Sequence, residues 1–193
     1  PVNVVAGGTL EVTLQTTPSY PAPGVATTFS HVLTMRNDGA DPVTIKRIAS
    51  WTYSSFTFVA GSATLASGGS CGGAAVDDPN RNSGTQNGPF DTVFEWGPAQ
   101  LKPPLPLAIA ANGGLATFCF QSNATLELGT YYSLAEVDAD GPGGAHTYAT
   151  TGQTSPVNSS LTALIQAQAK GRTSRAVVTR VPDGILINLW EAR

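Results

Sequence analysis

One segment of the sequence carries acidic side chains at alternate positions, which is the spacing that calcium-binding loops use. Glu136, Asp138 and Asp140 occupy relative positions one, three and five, and Gly141 occupies position six. Alternate residues of one loop can supply the several oxygen ligands that calcium prefers. Thr147 stands where an EF-hand loop has its bidentate glutamate, so the motif is incomplete. The segment is a candidate calcium site, and solvated turn residues are the alternative interpretation.

A second segment repeats this alternation with Asp78, Asn80 and Asn82. Asp77 adds a neighbouring carboxylate, and Gly84 lies one residue later than the glycine of an EF-hand loop. The same two interpretations apply, a calcium site or a solvated turn. We expect that the protein requires no cofactor and that calcium is the candidate metal.

The two cysteines, Cys71 and Cys119, form an even pair in a chain that is poor in Lys and rich in Ser, Thr and Gly. This usage is typical of exported proteins, so we expect a disulfide between them. Two buried thiols are the alternative. The pair lacks the Cys-x-x-Cys spacing of zinc and redox sites.

Groups that could perform catalysis are scarce, because His31 and His146 are the only histidines. His31 shares strand parity with Phe29 and Leu33, so we expect it to face the core as a hydrogen-bonded histidine. The sequence contains no Gly-x-Ser-x-Gly elbow, no His-Glu-x-x-His and no phosphate-binding glycine loop. We therefore predict that the protein is not an enzyme.

Aromatic side chains and glycosylation triplets suggest further contacts outside the chain. Trp and Tyr rings can stack on sugars or fill a core, and the candidates are Trp51, Tyr53, Trp96 and Trp190. Asn123 and Asn158 each begin a triplet that fits the N-glycosylation acceptor pattern.

Composition and charge exclude several classes of partner. The 193 residues carry a net charge of −3, and charged residues make up 12% of the chain, so nothing favours nucleic acid as a partner. No apolar run approaches the ~20 residues that a membrane span needs, and we expect no membrane insertion by this chain. It begins at Pro1 without Met, and we expect that any export signal was removed before this numbering starts.

Alternation with a period of two residues runs through most of the sequence and predicts strands. We expect the first three strands to form an antiparallel meander, and residues 66–91 to form a long loop. Short strands separated by turns indicate an all-β, Ig-like antiparallel β-sandwich. The predicted strands begin near 10, 27 and 43, with others at 51–59, 93–96, 115–120, 131–137 and 146–150; a change of parity at Ser54-Ser55 indicates a bulge or short loop within the fourth.

The pattern divides the chain into an N-terminal strand or arm at 1–9, the sandwich at 10–156 and a C-terminal extension at 157–193. The extension starts with a short helix or a strand, with Asn158 as a candidate cap. If helical, it would place Leu161, Leu164 and Ile165 on one face. A β-hairpin follows, with its turn at 182–184.

The order of several short motifs resembles a known family. The first motif is a turn rich in Pro and Gly with a strand that ends in Asn (24–37). The later motifs are FVAGSA (58–63), a tryptophan strand (94–96) and a Tyr-containing strand that ends in Asp-Gly (129–141). Residues 10–150 thus resemble the conserved-repeat Ig-like domain of bacterial and archaeal cell-surface proteins, the domain of unknown function eleven. The resemblance implies a non-catalytic spacer or adhesive module outside the cell. The glycine-rich insert around Cys71 and the tail from 157 depart from the family pattern.

We therefore expect an extracellular structural module of a cell-surface or secreted assembly, whose partners are other copies of itself or neighbouring surface domains. A sandwich leaves edge strands that an apolar segment of another subunit can complete, which would make a filament or pilus-like subunit. Intramolecular pairing of the same segments is the alternative. The candidate donor residues are Val2, Val4 and Val5 before the Gly7-Gly8 joint, and Ile185, Ile187 and Leu189 in the hairpin.

A monomeric adhesive module is the second hypothesis. It would bind a surface glycan or protein through the predicted loops at 66–91 and 138–146. Assembly predicts a mass that grows with concentration, whereas a binding module predicts a monomer with a saturable ligand.

Overall fold

The computed structural model describes residues 10–142, 144–150, 154–159, 174–181 and 184–191. Within these ranges the chain forms fifteen β-strands and no helix, and so includes no helix that could cross a membrane. The strands are β1 (Leu10–Thr17), β2 (Ala26–Asn37), β3 (Val43–Thr52), β4 (Thr57–Phe58), β5 (Thr64–Ser67), β6 (Ala74–Ala75), β7 (Asn80–Asn87), β8 (Phe90–Trp96), β9 (Ala108–Ile109), β10 (Gly114–Thr125), β11 (Gly129–Gly141), β12 (Gly144–Ala149), β13 (Thr154–Ser159), β14 (Ser174–Val181) and β15 (Gly184–Glu191).

The first thirteen strands form two antiparallel sheets. Sheet A has the order β1-β2-β10-β5-β6, and β4 also pairs with β10. Sheet B has the order β12-β11-β3-β8-β7, with β13 paired to β11 and β9 paired to β3. One hydrophobic cluster contains buried residues of both sheets, so the sheets pack face to face. The predicted all-β antiparallel sandwich is confirmed.

Alternating side chains build the core that the sequence predicts. In β1, Leu10, Val12 and Leu14 are buried, whereas the residues between them lie on the outer face. Trp96 of β8 is fully buried and packs across the sandwich on Phe118 and Phe120 of β10, with ring centroids 4.7 and 5.1 Å apart. These aromatic contacts stabilise the packing of sheet A on sheet B.

The prediction of a three-strand meander is wrong in its third strand. β1 and β2 pair as expected, with Leu14 opposite Leu33. β3 belongs to sheet B, where it pairs with β8 and β11. β10, from much later in the chain, takes the place beside β2. Local turn residues do not show such a distant pairing, and the turn after Asn37 in fact carries the chain from one sheet to the other.

The parity change at Ser54-Ser55 marks a second crossing between the sheets. The amide of Phe56 donates to the carbonyl of Tyr53 at 3.0 Å, which closes a short turn. The chain leaves β3 in sheet B and enters β4 in sheet A. The predicted short loop is therefore present, and the residues on either side of it belong to different sheets.

Two segments predicted as loops are largely strands. Segment 66–91 contains β6, β7 and the start of β8, and β7 pairs with β8 from Asn80 opposite Glu95. Segment 138–146 contains the end of β11 and the start of β12. β7 is an edge strand, so its backbone pairing does not require apolar side chains. Its polar sequence therefore lacks the hydrophobic alternation from which a strand would be predicted.

The tail begins later than the sequence suggests. β13 pairs with β11, so the sandwich continues past the strand predicted at 146–150, and the boundary drawn between 156 and 157 falls inside β13. Asn158 and Ser159 lie in this strand. The remainder of the candidate helix, with Leu161, Leu164 and Ile165, lies outside the described residues.

The predicted C-terminal hairpin is present. β14 and β15 pair over eight positions, with Val181 opposite Gly184. They form a two-stranded sheet of their own.

The side chain of Asn37 links two connecting segments at one end of the sandwich. Its side chain is fully buried, and its amide nitrogen lies 2.8, 3.3 and 3.1 Å from the carbonyl oxygens of Asp41, Ile109 and Ala110. Its amide oxygen accepts a hydrogen bond from the backbone of Gly39 at 3.0 Å. One side chain therefore satisfies backbone groups of the β2–β3 turn and of the β9–β10 segment.

We expect Asn37→Ala to lower the free energy of unfolding by about 3 kcal/mol, because it leaves buried carbonyls without a donor. Urea denaturation monitored by tryptophan fluorescence measures the change. Asn123→Ala is the matched control, since Asn123 is exposed and hydrogen-bonded to Thr28; we expect a change below about 0.5 kcal/mol. Equal effects of the two substitutions would contradict the assignment.

Candidate functional site

The disulfide between Cys71 and Cys119 fixes a glycine-rich segment on the outer face of sheet A. The two Cα atoms are 5.8 Å apart, and the residues are 48 positions apart in sequence. Cys119 lies in the middle of β10, opposite Val32 of β2 and Thr64 of β5. Cys71 lies in the exposed segment between β5 and β6. The bond therefore anchors an exposed segment to a central strand.

Two hydrogen bonds hold the start of this segment on the same face. The amide of Gly68 donates to the carbonyl of Leu115 at 2.8 Å, and the Thr117 hydroxyl donates to the carbonyl of Gly68 at 2.6 Å. Gly68 has a φ of 107°, a conformation that favours glycine. Beside the disulfide lies a cleft of about 320 Å³ with hydroxyl and amide groups but no charged side chain; its lining is Ser30, His31, Val32, Ser62, Thr64, Cys71, Cys119, Phe120 and Gln121.

The first calcium candidate is part of an ion-pair cluster on sheet B. Arg47 of β3 lies between carboxylates, with a guanidinium nitrogen 3.3 Å from Glu95, 3.4 Å from Asp138 and 3.7 Å from Glu136. Lys46 pairs with Asp140 at 3.2 Å. Burial alone would lower the pKa of Arg47, but the hydrogen bond that Arg47 donates to Glu95 and the neighbouring negative charges raise it above its ordinary value.

The geometry of this cluster differs from a calcium loop. Glu136, Asp138 and Asp140 lie along the extended strand β11, and each has a cationic side chain beside it. Alternate residues of a strand lie on one face but are spread along it, so their oxygens do not converge as a loop would make them. The expected loop is thus replaced by a ladder of ion pairs.

The second calcium candidate is also dispersed. Asn80 and Asn82 lie in β7, and Asp78 accepts a hydrogen bond from the amide of Gly61 at 2.8 Å. The neighbouring Asp77 pairs with Lys102 at 2.6 Å. Across the part of the chain that the structure describes, no group of three or more His, Cys, Asp and Glu side chains could hold a metal ion. Calcium binding by either segment stays a prediction from spacing.

His31 is a buried structural residue, as its strand parity predicts. It is 2% exposed, and its ring stacks on Phe120 with centroids 4.4 Å apart. Its Nδ1 is hydrogen-bonded to the Thr16 hydroxyl at 3.1 Å, and its Nε2 to the Ser122 hydroxyl at 2.7 Å. Burial lowers the pKa of His31 to about 3, so the imidazole is neutral at physiological pH.

The aromatic candidates for sugar stacking do not share a surface. Trp96 is in the core, and Trp51 is buried in a second cluster with Ala49, Phe90 and Val93. Tyr53 is half-buried against both clusters. Trp190 lies in β15, where only the backbone is described.

The glycosylation candidates lie in strands. Asn123 is exposed on β10, where its side-chain oxygen accepts a hydrogen bond from Thr28 at 2.7 Å. Asn158 lies in β13 and accepts one from Thr130 at 2.9 Å. The last residue of its triplet, Ser160, lies outside the described residues.

The candidate donor segments differ in what the structure describes of them. Val2, Val4 and Val5 lie outside the described residues. Ile185, Ile187 and Leu189 lie in β15, whose backbone is paired with β14, so any strand addition there would use the hairpin rather than a single free strand.

Three exposed apolar residues belong to none of the sites that the sequence predicts. Tyr20, Val25 and Leu128 are exposed apolar residues in the turns that follow β1 and β10. For Tyr20 and Val25 the available signal was the presence of large apolar side chains inside a turn-forming segment rich in Pro and Gly; the connection that contains Leu128 offers no such signal.

Comparisons with known proteins concern the fold. No protein-family model matches the sequence, and no curated protein matches it. A Corynebacterium diphtheriae protein described as membrane anchored is 10% identical, with a TM-score of 0.50, and the match covers 79% of this chain and 36% of that one. This similarity is one of fold alone.

Two further structures are more distant. The major pilin subunit of Bacillus cereus has 7% identity and a TM-score of 0.43, over 95% of this chain and 53% of its own. AvmM, which catalyses macrocyclization in alchivemycin A biosynthesis, has 12% identity and a TM-score of 0.38, and the match covers 79% of this chain and 92% of AvmM. TM-scores this low support no argument. The chain spans about a third of the C. diphtheriae protein and about half of the pilin.

Proposed function

We propose that this chain is a non-catalytic structural module of a cell-surface or secreted assembly, and that residues 10–150 are related to the conserved-repeat Ig-like domains. The observation that carries the proposal is the disulfide that anchors segment 68–73 to β10. Disulfides persist in oxidising compartments, which supports a location outside the cytosol. The fold shared with a membrane-anchored protein is compatible with this location.

The side-chain chemistry of the described residues supports a structural role. The buried histidine is hydrogen-bonded within sheet A, and the carboxylates of β11 are paired with Arg47 and Lys46. Each of these polar groups has a partner that stabilises the sandwich. The arrangement gives rigidity rather than a group poised to react.

We further propose that the module joins other copies of itself through its terminal segments. β14 and β15 form a two-stranded sheet with no strand pairing to sheet A or sheet B among the described residues. A two-stranded hairpin alone is marginally stable in water, so it gains stability by adding to another sheet or packing on one. The apolar N-terminal segment, with Val2, Val4 and Val5, is the second candidate for such a contact.

Sedimentation velocity of the purified, non-reduced chain tests this proposal over a series of protein concentrations. We expect the weight-average mass to rise with concentration, and to rise less for chains lacking residues 1–8 or 174–193. A monomer at every concentration would contradict the assembly. It would favour the adhesive alternative, for which the neutral cleft beside the disulfide is the candidate contact in place of the two predicted loops.

A further inference from the structure

Exposed apolar side chains are concentrated at one end of the sandwich. Among the described residues four large hydrophobic side chains are exposed: Tyr20 at 68%, Leu128 at 59%, Val25 at 46% and Leu115 at 37%. The first three lie in the β1–β2 and β10–β11 connections. Leu115 lies near the start of β10, towards the opposite end.

Hydrogen bonds and strand register place the two connections that carry the first three residues at one end of sheet A. Thr125 at the end of β10 pairs with Ala26 at the start of β2, so both connections leave the same end of sheet A. The amide of Gly24 donates to the carbonyl of Leu126 at 2.8 Å and links them directly. We call Tyr20, Val25 and Leu128 the apolar end patch. Clustered exposed apolar groups commonly mark a contact surface.

The N-terminal segment enters the sandwich at the other end. Leu10, the first residue of β1, lies opposite Asn37, which in turn lies opposite Gly114. The eight residues of β1 then run to the patch end, a distance of ~26 Å. The nine preceding residues span at most ~30 Å, so within one chain they would have to double back fully extended to reach the patch. In a head-to-tail neighbour no reversal is needed.

We propose that the apolar end patch of one copy binds residues 1–9 of a second copy. This inference rests on the proposed assembly and names its acceptor surface. The segment contains three valines and no charged side chain, so its chemistry matches an apolar surface. Because donor and acceptor lie at opposite ends, the contact is heterologous and repeats along a filament. A contact between three exposed side chains and one short segment is small, so we expect the association to be weak and to depend on concentration.

Sedimentation velocity of surface variants tests the inference. The double substitution Tyr20→Ser with Leu128→Ser should raise the dissociation constant of self-association about a hundredfold, because two large apolar side chains are no longer buried in the contact. Gln15→Ser is the control, because Gln15 is exposed and lies opposite Val32 in the middle of β2, away from both ends; its association should equal that of the unsubstituted chain. Thermal midpoints close to the unsubstituted value check that both variants are folded.

A mixing experiment separates the two partners of the contact. A chain lacking residues 1–8 retains the patch, and the double variant retains the N-terminal segment. We expect each to associate less than the unsubstituted chain when alone, and the mixture to reach a higher weight-average mass than either variant alone at the same total concentration. Association of the double variant equal to the unsubstituted chain would overturn the inference and leave the proposed function standing. An unsubstituted chain that never associates would overturn the proposed function itself.

Discussion

Removing the disulfide between Cys71 and Cys119 is expected to lower the free energy of unfolding by about 4 kcal/mol. The cross-link joins residues 48 positions apart, and a loop of that length restricts the unfolded chain strongly. Without the bond, segment 68–73 keeps the hydrogen bonds at Gly68, but the segment loses its covalent anchor to β10. Most domains have a total stability of 5–15 kcal/mol, so the loss is a large share.

The double variant Cys71→Ser with Cys119→Ala measures this effect. Serine suits the exposed position and alanine the buried one, which avoids an unsatisfied hydroxyl beside Val32. Urea denaturation gives the free energy, and dithiothreitol added to the unsubstituted chain should give a similar decrease. Dithiothreitol should leave the double variant unchanged. A decrease below about 1 kcal/mol would show that the bond does not restrain the fold.

The second large effect is a loss of stability in acid that originates at His31. Its pKa is about 3 in the folded state, whereas an unfolded histidine has a pKa near 6.5. Below pH 6.5 the unfolded chain binds a proton that the folded chain does not, so the free energy of unfolding falls by about 1.4 kcal/mol per pH unit. Above pH 6.5 the titration of His31 takes nothing from the free energy of unfolding, and by pH 3 it has lowered that free energy by about 4 to 5 kcal/mol.

Comparison of variants isolates this contribution from the carboxylates, which also titrate in acid. His31→Gln retains a polar side chain between Thr16 and Ser122 but carries no titrating group, so its stability should fall less steeply between pH 6.5 and 5. Ser122→Ala is the control, because it removes one hydrogen bond and leaves the imidazole. We expect lower stability at all pH values with the original slope. Equal slopes in the unsubstituted chain and His31→Gln would contradict the account.

Local patterns in the sequence predict much of the fold. The alternation of Leu10, Val12 and Leu14 predicts β1 and its buried face, and the parity of His31 predicts its burial. Both depend on the two-residue period of a strand, which is a local property. The pairing of β2 with β10 depends on residues far apart in the chain, so local turn chemistry wrongly suggests a meander.

The candidate sites show the same limit. The spacing of Glu136, Asp138 and Asp140 suggests a loop with converging oxygens, but the strand that places Arg47 beside them is set by pairing between β3 and β11. The apolar end patch likewise depends on the register that brings two separate connections to one end. Residue types and their spacing alone predict neither the position of Arg47 beside the carboxylates nor the meeting of the two connections at one end.

Negative-stain electron microscopy of the non-reduced chain, beside the same chain lacking residues 1–8, tests whether the module assembles through its N-terminal segment. If the module assembles head to tail through its N-terminal segment, the full chain at high concentration forms ordered filaments one sandwich wide, and the shortened chain forms single particles. Uniform single particles in both samples would contradict the account.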